Sequence, residues 1–175
     1  GPVRVIHRHW GLSAQYLVVL RSPRSLLRIG DGVVFEGGAV GRIHALGLYT
    51  ATVELVSSPE FRTMAQIEGQ PVPVVYQGQV GRPGRSPRGL ARQIPLELKS
   101  LEGLQLVTSS LLGAFPGGLR IGRLGATSPS SQGLFQEAEV CLDSRLGYLK
   151  HVSVLIPVAR GSGSSAEEEA LPEEG

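Results

Sequence analysis

The stretch Glu102–Leu124 reads EGLQLVTSSLLGAFPGGLRIGRL, and a shorter relative of it stands upstream at 31–43, DGVVFEGGAVGRI. Each copy opens with an acid next to glycine, runs through a short aliphatic strand and crosses a glycine-rich connection. Each then ends on aliphatic-Gly-Arg-aliphatic: Val40-Gly41-Arg42-Ile43 and Ile121-Gly122-Arg123-Leu124. A glycine in the strand after a hairpin permits the sharp bend that closes a small barrel. Each copy is followed by an alternating strand, Ala51–Val56 and Phe135–Leu142. The offset of the two copies therefore predicts two barrel-like halves with related hairpins.

The rest of the sequence agrees with an all-β reading. Glycine (24) and proline (12) are frequent in the 175 residues, which favours short strands and tight turns over long helices. Ala51, Val53 and Leu55 share one predicted face; so do Ala138, Val140 and Leu142, and Val152, Val154 and Ile156 near the end. Further strands are expected at Val3–Ile6, Tyr16–Leu20, Gly32–Phe35, Ala39–Leu46, Arg62–Ile67, Pro73–Gln77, Gln105–Thr108 and Arg120–Leu124. In Gln93–Leu98, Ile94, Leu96 and Leu98 are expected to face one way, and Pro95 marks this as an edge strand. One helical turn is expected at Ser144–Lys150. Two long loops are expected, the basic Gly81–Arg92 and the polar Gly125–Gly133.

Composition narrows the function classes. Aromatic residues make up 5%, too few for a base-stacking nucleic-acid surface. The single cysteine, Cys141, excludes an intrachain disulfide and any multi-cysteine zinc site. No apolar run reaches the roughly 18 residues needed to cross a bilayer as a helix. Gly1-Pro2 resembles the remnant of a cleaved tag, so the natural N-terminus is expected to lie upstream. The net charge of +2 is unevenly spread. Residues 161–175, GSGSSAEEEALPEEG, hold five glutamates and no base, and the tail from 159 is expected to be a disordered, solubilising end.

The long repeat copy also resembles a known family. Val107–Leu124 is similar to the C-terminal signature of the rod shape-determining MreC family, which shows VVTSG followed by FPxGLxVGxV. Thr108, Ser109, Phe115, Pro116, Gly118 and Gly122 carry that likeness. Gly32–Ile43 resembles the family's GxxVxxxxGLVGRV through Gly41 and Arg42. Ala51–Pro59 resembles VxLxTDP, and Leu149–Ile156 its closing strand. Trp10 stands where the family often has a tryptophan. Ser110 replaces the usual glycine, Glu102-Gly103 inverts the usual Gly-Asp, and Ser57-Ser58 replaces Thr-Asp. Leu26–Asp31 is a degraded entry motif. The likeness is that of a divergent member spanning about residues 3 to 157.

That resemblance implies two six-stranded β-barrels in a chymotrypsin-like arrangement, expected at about 3–75 and 76–158, with strands exchanged between them where closure demands it. It implies a non-enzymatic scaffold of the cell-wall elongation machinery, without cofactors, on the periplasmic or extracytoplasmic face of the inner membrane. An N-terminal helix upstream would anchor it. The implied partners are the class B penicillin-binding transpeptidase, MreD, RodA and further copies of the chain, as homodimer or filament.

The residues leave other readings to weigh. A chymotrypsin-like fold invites a serine-protease reading from His44, Asp143 and Ser109 or Ser110, but no nucleophile turn of the Gly-Asp-Ser-Gly kind is present. A polymer-binding module would need an exposed aromatic platform. His7 and His9 share a strand face but lack further metal ligands. Gly30-Asp31-Gly32 and Gly37-Gly38 fit turns better than a phosphate loop. For partner contact, the candidates are the basic Arg82, Arg85, Arg88 and Arg92, and the apolar Leu111, Leu112 and Phe115. An accessible Phe115 is the condition for the apolar reading.

Overall fold

The computed structural model describes residues 1–79, 86–111 and 115–160. The expected tail at 161–175, and Arg82, Arg85 and Leu112, lie outside the described residues. Twelve strands run in chain order: β1 (Pro2–Trp10), β2 (Gln15–Leu20), β3 (Gly32–Phe35), β4 (Gly38–Leu46), β5 (Thr50–Leu55), β6 (Arg62–Ile67), β7 (Pro73–Gln79), β8 (Arg88–Pro95), β9 (Gln105–Thr108), β10 (Arg120–Pro129), β11 (Phe135–Leu142) and β12 (His151–Val154). A 3-10 turn at Ser144–Gly147 takes the place of the expected helical turn.

The strands close into two rings. One runs β4-β3-β12-β1-β2-β5 and back to β4; the other runs β11-β8-β7-β6-β9-β10 and back to β11. Closure leaves no free sheet edge in either ring. The inner faces are those the alternation marks. Ala51, Val53 and Leu55 of β5 are buried, as are Ala138, Val140 and Leu142 of β11. The two sets of inward side chains, with Leu17, Ile43, Ile67, Tyr76, Ile94 and Leu106, form the core.

The ring boundary falls between β5 and β6, not near residue 75. The reason is pairing: β6 bonds to β7 and β9 of the second ring. The last strand returns to the first ring and fills the gap between β1 and β3. The two rings meet where β10 runs parallel to β4, with Arg120 opposite Gly38. The connecting segment, Val56 to Phe61, is partly built into this junction. Tyr76 Oη donates to the Val56 carbonyl at 2.6 Å, and Ser57 Oγ donates to Gln15 Oε1 at 2.5 Å.

Four expectations are corrected. Residues 88–92, expected in a loop, belong to β8, which is bonded to both β7 and β11. For the same reason β8 is not an edge strand, and Pro95 is simply its last residue. Gln93 adopts φ 59 and forms a bulge, so Ala91 and Ile94 both point inward while Leu96 falls outside the strand and is exposed. The expected polar loop from Gly125 is strand as far as Pro129, with Thr127, Ser128 and Pro129 paired to Ala138, Glu137 and Gln136 of β11. From Ala126 to Pro129 β10 is exposed on both faces, so this half of the strand carries no alternation.

Arg160, expected in the tail, is bound to the first barrel. The Arg160 guanidinium holds the buried Asp31 carboxylate at 2.6 and 3.0 Å and donates to the Leu26 carbonyl at 2.9 Å. Both hydrogen bonds to Asp31 raise the stability of the arginine's charged form.

Candidate interaction surface

The signature run around Thr108 builds a self-bonded turn. Thr108 Oγ1 donates to the Pro116 carbonyl at 2.6 Å and accepts from the Leu119 N–H at 3.0 Å. The Thr108 main chain exchanges bonds with Leu119 and Gly118. Gly118, at φ 90, supplies the left-handed step that brings the chain back. Ser109 Oγ accepts from the Leu111 N–H at 3.1 Å, and the Ser109 N–H donates to the Met64 carbonyl. These residues shape the connection through bonds to one another.

Phe115 points inward. It is only 3% exposed, and its ring centroid lies 6.4 Å from that of Phe61, which in turn sits 6.2 Å from Tyr76. The condition set for a partner-facing Phe115 is therefore not met: the ring is core, packed against Phe61. Leu111, on the same connection, is exposed and is the described apolar residue left for contact there. Arg88 lies on β8 and forms a 2.6 Å ion pair with Glu139 of β11. That bond is the main reason its guanidinium is held more firmly protonated than usual. Its charge is thus largely matched within the barrel wall.

The expected triad residues are each engaged elsewhere. His44 Nδ1 stands 3.9 Å from Glu54 Oε2, and its ring stacks at an angle on Tyr16 with centroids 5.1 Å apart. Asp143 accepts from Arg145, which holds its carboxyl below the usual carboxylate range. Ser109 is occupied in its turn. No nucleophile–base pair is formed among them. Among the described residues, no group of three or more His, Cys, Asp or Glu is placed to hold a metal ion.

Two surface features were not legible from residue type alone. The first is a band across the outer face of the first barrel. His9, Tyr16, Glu54 and Arg42 sit opposite one another on β1, β2, β5 and β4 in register. Glu54 is buried although it faces outward, because Arg42 covers it at 3.5 Å and Tyr16 and His44 flank it. Burial, and then the Glu54 and Glu60 charges, push the Tyr16 hydroxyl above its ordinary pKa. Arg42 then continues past Glu54. It lies over the Phe61 ring at 4.3 Å and donates to the Arg62 carbonyl at 2.9 Å, tying the first barrel to β6.

The second feature is a 310 Å³ cleft at the junction of the barrels. Phe35, Val40, Ile121, Leu142, Leu146 and Leu149 form its apolar part; Arg120, Arg123 and Arg145 are among its polar lining. Arg145 is fixed at the rim by Glu36 at 2.6 Å and Asp143 at 2.8 Å, with its guanidinium 5.0 Å from the Phe35 ring centroid. These two acids keep Arg145 firmly protonated. Arg120 donates to the Glu36 carbonyl and Arg123 to the Gly103 carbonyl, so neither has a carboxylate partner among the described residues. The cleft arises because β4 and β10 pair at one position and then diverge, which no local pattern in either strand announces.

The fold and its signature turns have clear counterparts. The family model described as rod shape-determining protein MreC, barrel core, matches residues 5–156. The cell shape-determining protein MreC of Listeria monocytogenes is 28% identical over 123 residues, 70% of this chain and 42% of that protein. The chain thus spans less than half the length of this curated relative. The crystal structure of MreC from Pseudomonas aeruginosa superposes with a TM-score of 0.78 at 18% identity, covering 89% of this chain and 98% of that one. MreC in a complex with penicillin-binding protein PBP2 from Helicobacter pylori superposes with a TM-score of 0.64 at 15% identity, covering 89% and 97%. With the matched region running through all twelve strands but the first residues of β1, the chain belongs to the MreC family as its barrel core.

Proposed function

We propose that this chain works by binding, as a scaffold that holds components of the cell-wall elongation machinery in place and so maintains rod shape. The observation that carries this reading is the family match across both rings, 5–156. Two closed barrels joined by β4, β10 and Arg42 form a framework suited to presenting surfaces. The alternative, a serine protease, is disfavoured because His44, Asp143 and Ser109 are committed to different neighbours.

The class B penicillin-binding transpeptidase is the first partner proposed, by likeness to the Helicobacter pylori complex. MreD, RodA and self-association into dimers or filaments extend the same reading. The site of action is the periplasmic or extracytoplasmic face of the inner membrane, with anchorage supplied upstream. Among the described residues no helix is long and apolar enough to cross a membrane. Leu111, Arg88 and the band around Arg42 are surfaces open to such contacts, with Arg82, Arg85 and Leu112 as further candidates.

The test is co-sedimentation of this chain with the same organism's elongation transpeptidase, alongside sedimentation velocity of the chain alone. A stable complex with the transpeptidase supports the reading. Absence of both that complex and self-association at micromolar concentrations overturns it.

A further inference from the structure

One end of the first barrel combines cations and exposed apolar groups. The strand registers place the start of β1, the end of β2, the β4–β5 hairpin and the end of β12 there. The segment from Arg21 to Asp31 crosses this end, from β2 to β3 on the far side of the ring. The Arg21 N–H donates to the Tyr49 carbonyl at 2.9 Å and the Gly30 N–H to the Ile43 carbonyl at 2.8 Å, so the segment is held at both ends. Leu27 is buried and joins the core from this end, while Leu26, Arg28 and Ile29 around it are exposed.

The outward side chains are of two kinds. Ile29 is 68% exposed, Leu48 64% and Tyr49 63%, and Leu26 is exposed as well. A single exposed leucine needs no explanation, but several large apolar groups on the loops of one barrel end do. The second kind is cationic. Arg21, Arg24 and Arg28 pair with no carboxylate among the described residues. Asp31, the one acid in the crossing segment, is buried and held by Arg160, and the hairpin contributes none.

Guanidiniums interleaved with aliphatic and phenolic side chains match the interface of an anionic bilayer, where phosphates lie directly above acyl chains. Arginine donates to phosphate oxygens in pairs. Leucine and isoleucine enter the acyl boundary, and a tyrosine sets its ring there with the hydroxyl among the headgroups. An acidic protein would account for the arginines and leave the apolar groups unmatched. The choice of a bilayer also rests on the membrane-face location proposed above.

We propose that this end of the first barrel docks on an anionic lipid surface. Arg21, Arg24 and Arg28 lie on the phosphates, and Ile29, Leu48 and Tyr49 reach the acyl boundary. The contact is peripheral and reversible, because each group contributes modestly and salt weakens the electrostatic part. It also sets which way the barrels face. The cleft between the barrels is lined by Gly38, Ala39 and Val40 at the start of β4, and the docking hairpin is at the other end of that strand, so the cleft stays clear of the bilayer.

The experiment is co-sedimentation of the full chain with vesicles of pure phosphatidylcholine, and with vesicles of equal parts phosphatidylcholine and phosphatidylglycerol. Binding to the anionic vesicles and none to the neutral ones is expected. Arg24→Ser/Arg28→Ser should lower the binding constant about thirtyfold, at roughly fivefold per arginine near an anionic surface. Leu48→Ser/Tyr49→Ser should lower it about tenfold, through the apolar area withdrawn from the interface. The control Arg120→Ser/Arg123→Ser removes the same charge beside the start of β4, roughly 30 Å from the hairpin. That separation exceeds the Debye length at physiological salt, so a change below about threefold is expected. Equal losses for the two arginine pairs, equal binding to both kinds of vesicle, or no binding to the anionic ones overturns the proposal. Soluble polyglutamate bound through Arg24 and Arg28 while vesicles are not bound overturns it in favour of an acidic protein. The same variants are expected to keep the complex with the transpeptidase. Loss of vesicle binding with that complex intact therefore rejects the docking and leaves the scaffold reading standing.

Discussion

The two copies of the aliphatic-Gly-Arg-aliphatic pattern occupy equivalent places, one in each barrel, and their glycines do the same work. A Cβ at Gly41 would stand 2.0 Å from the Glu54 carbonyl oxygen of β5, and one at Gly122 would stand 2.4 Å from that of Cys141 on β11. In each ring the strand bends so closely over its neighbour that only glycine fits. The arginines beside them are used differently. Arg42 covers a buried carboxylate, stacks on Phe61 and bonds across to β6, whereas Arg123 is exposed and reaches the Gly103 carbonyl of its own barrel. Ring closure imposes the first residue twice; the docking of one ring on the other makes use of the second in one copy alone.

The strongest challenge to the shared half of that pattern is Gly41→Ala or Gly122→Ala. Both overlaps are with backbone, which cannot step aside as a side chain does. Each is expected to cost about 3 kcal/mol or more, at the upper end of overpacking effects, or to prevent folding. Urea titration followed by tryptophan fluorescence measures it. A cost below about 0.5 kcal/mol at either site would show that the two glycines are not equivalent.

Of comparable size is the effect at the inward-facing Phe115 of the second barrel. Phe115→Ala is expected to lose about 3–5 kcal/mol, as for a buried aromatic ring. Leu111→Ser, four residues earlier, should stay within about 0.5 kcal/mol. A reversed order in the same titration would put Phe115 at the surface.

The asymmetry of the arginines is smaller and separable. Arg42→Ala leaves Glu54 buried without its partner and removes the stack on Phe61; a loss of about 1–3 kcal/mol is expected. Arg123→Ala should lie within about 0.5 kcal/mol. Equal losses at the two positions would remove the claim that Arg42 ties the barrels together.

The smallest effect is at the rim of the cleft. The folded-state pKa of Asp143 is depressed, chiefly by its hydrogen bond from Arg145. Its contribution to stability is therefore present above the unfolded value near 3.9 and is lost as pH falls through the lower folded value. Asp143→Asn should flatten the slope of stability against pH below about pH 4 and leave neutral pH nearly unchanged. The carboxylate is partly exposed, so solvent screening keeps the change small.

Some of this molecule could be read directly from residues. The bounds of the strands Gly32–Phe35, Arg62–Ile67, Gln105–Thr108 and Phe135–Leu142 coincide with the expected ones, because each is a short run rich in strand-forming residues and bounded by turn residues. The reading failed where alternation was absent or shifted. Gln93 breaks the phase of β8 by bulging, and the far half of β10 is wet on both sides, so neither offers a period-two signal. For the candidate surfaces, composition marked basic and apolar loops but could not tell which side chains point in. Phe115 and Leu111 belong to one connection, and only the path of the chain separates them.

By itself the sequence determined the strands, the two glycines and the signature turn around Thr108, since each is dictated by local spacing, steric allowance or a bond between near neighbours. Only the tertiary structure decided that β12 belongs to the first ring, that β6 begins the second, and that Arg42 covers Glu54. Those outcomes depend on partners far apart along the chain, brought together when the rings close and dock; residue order carries no direct record of that distance.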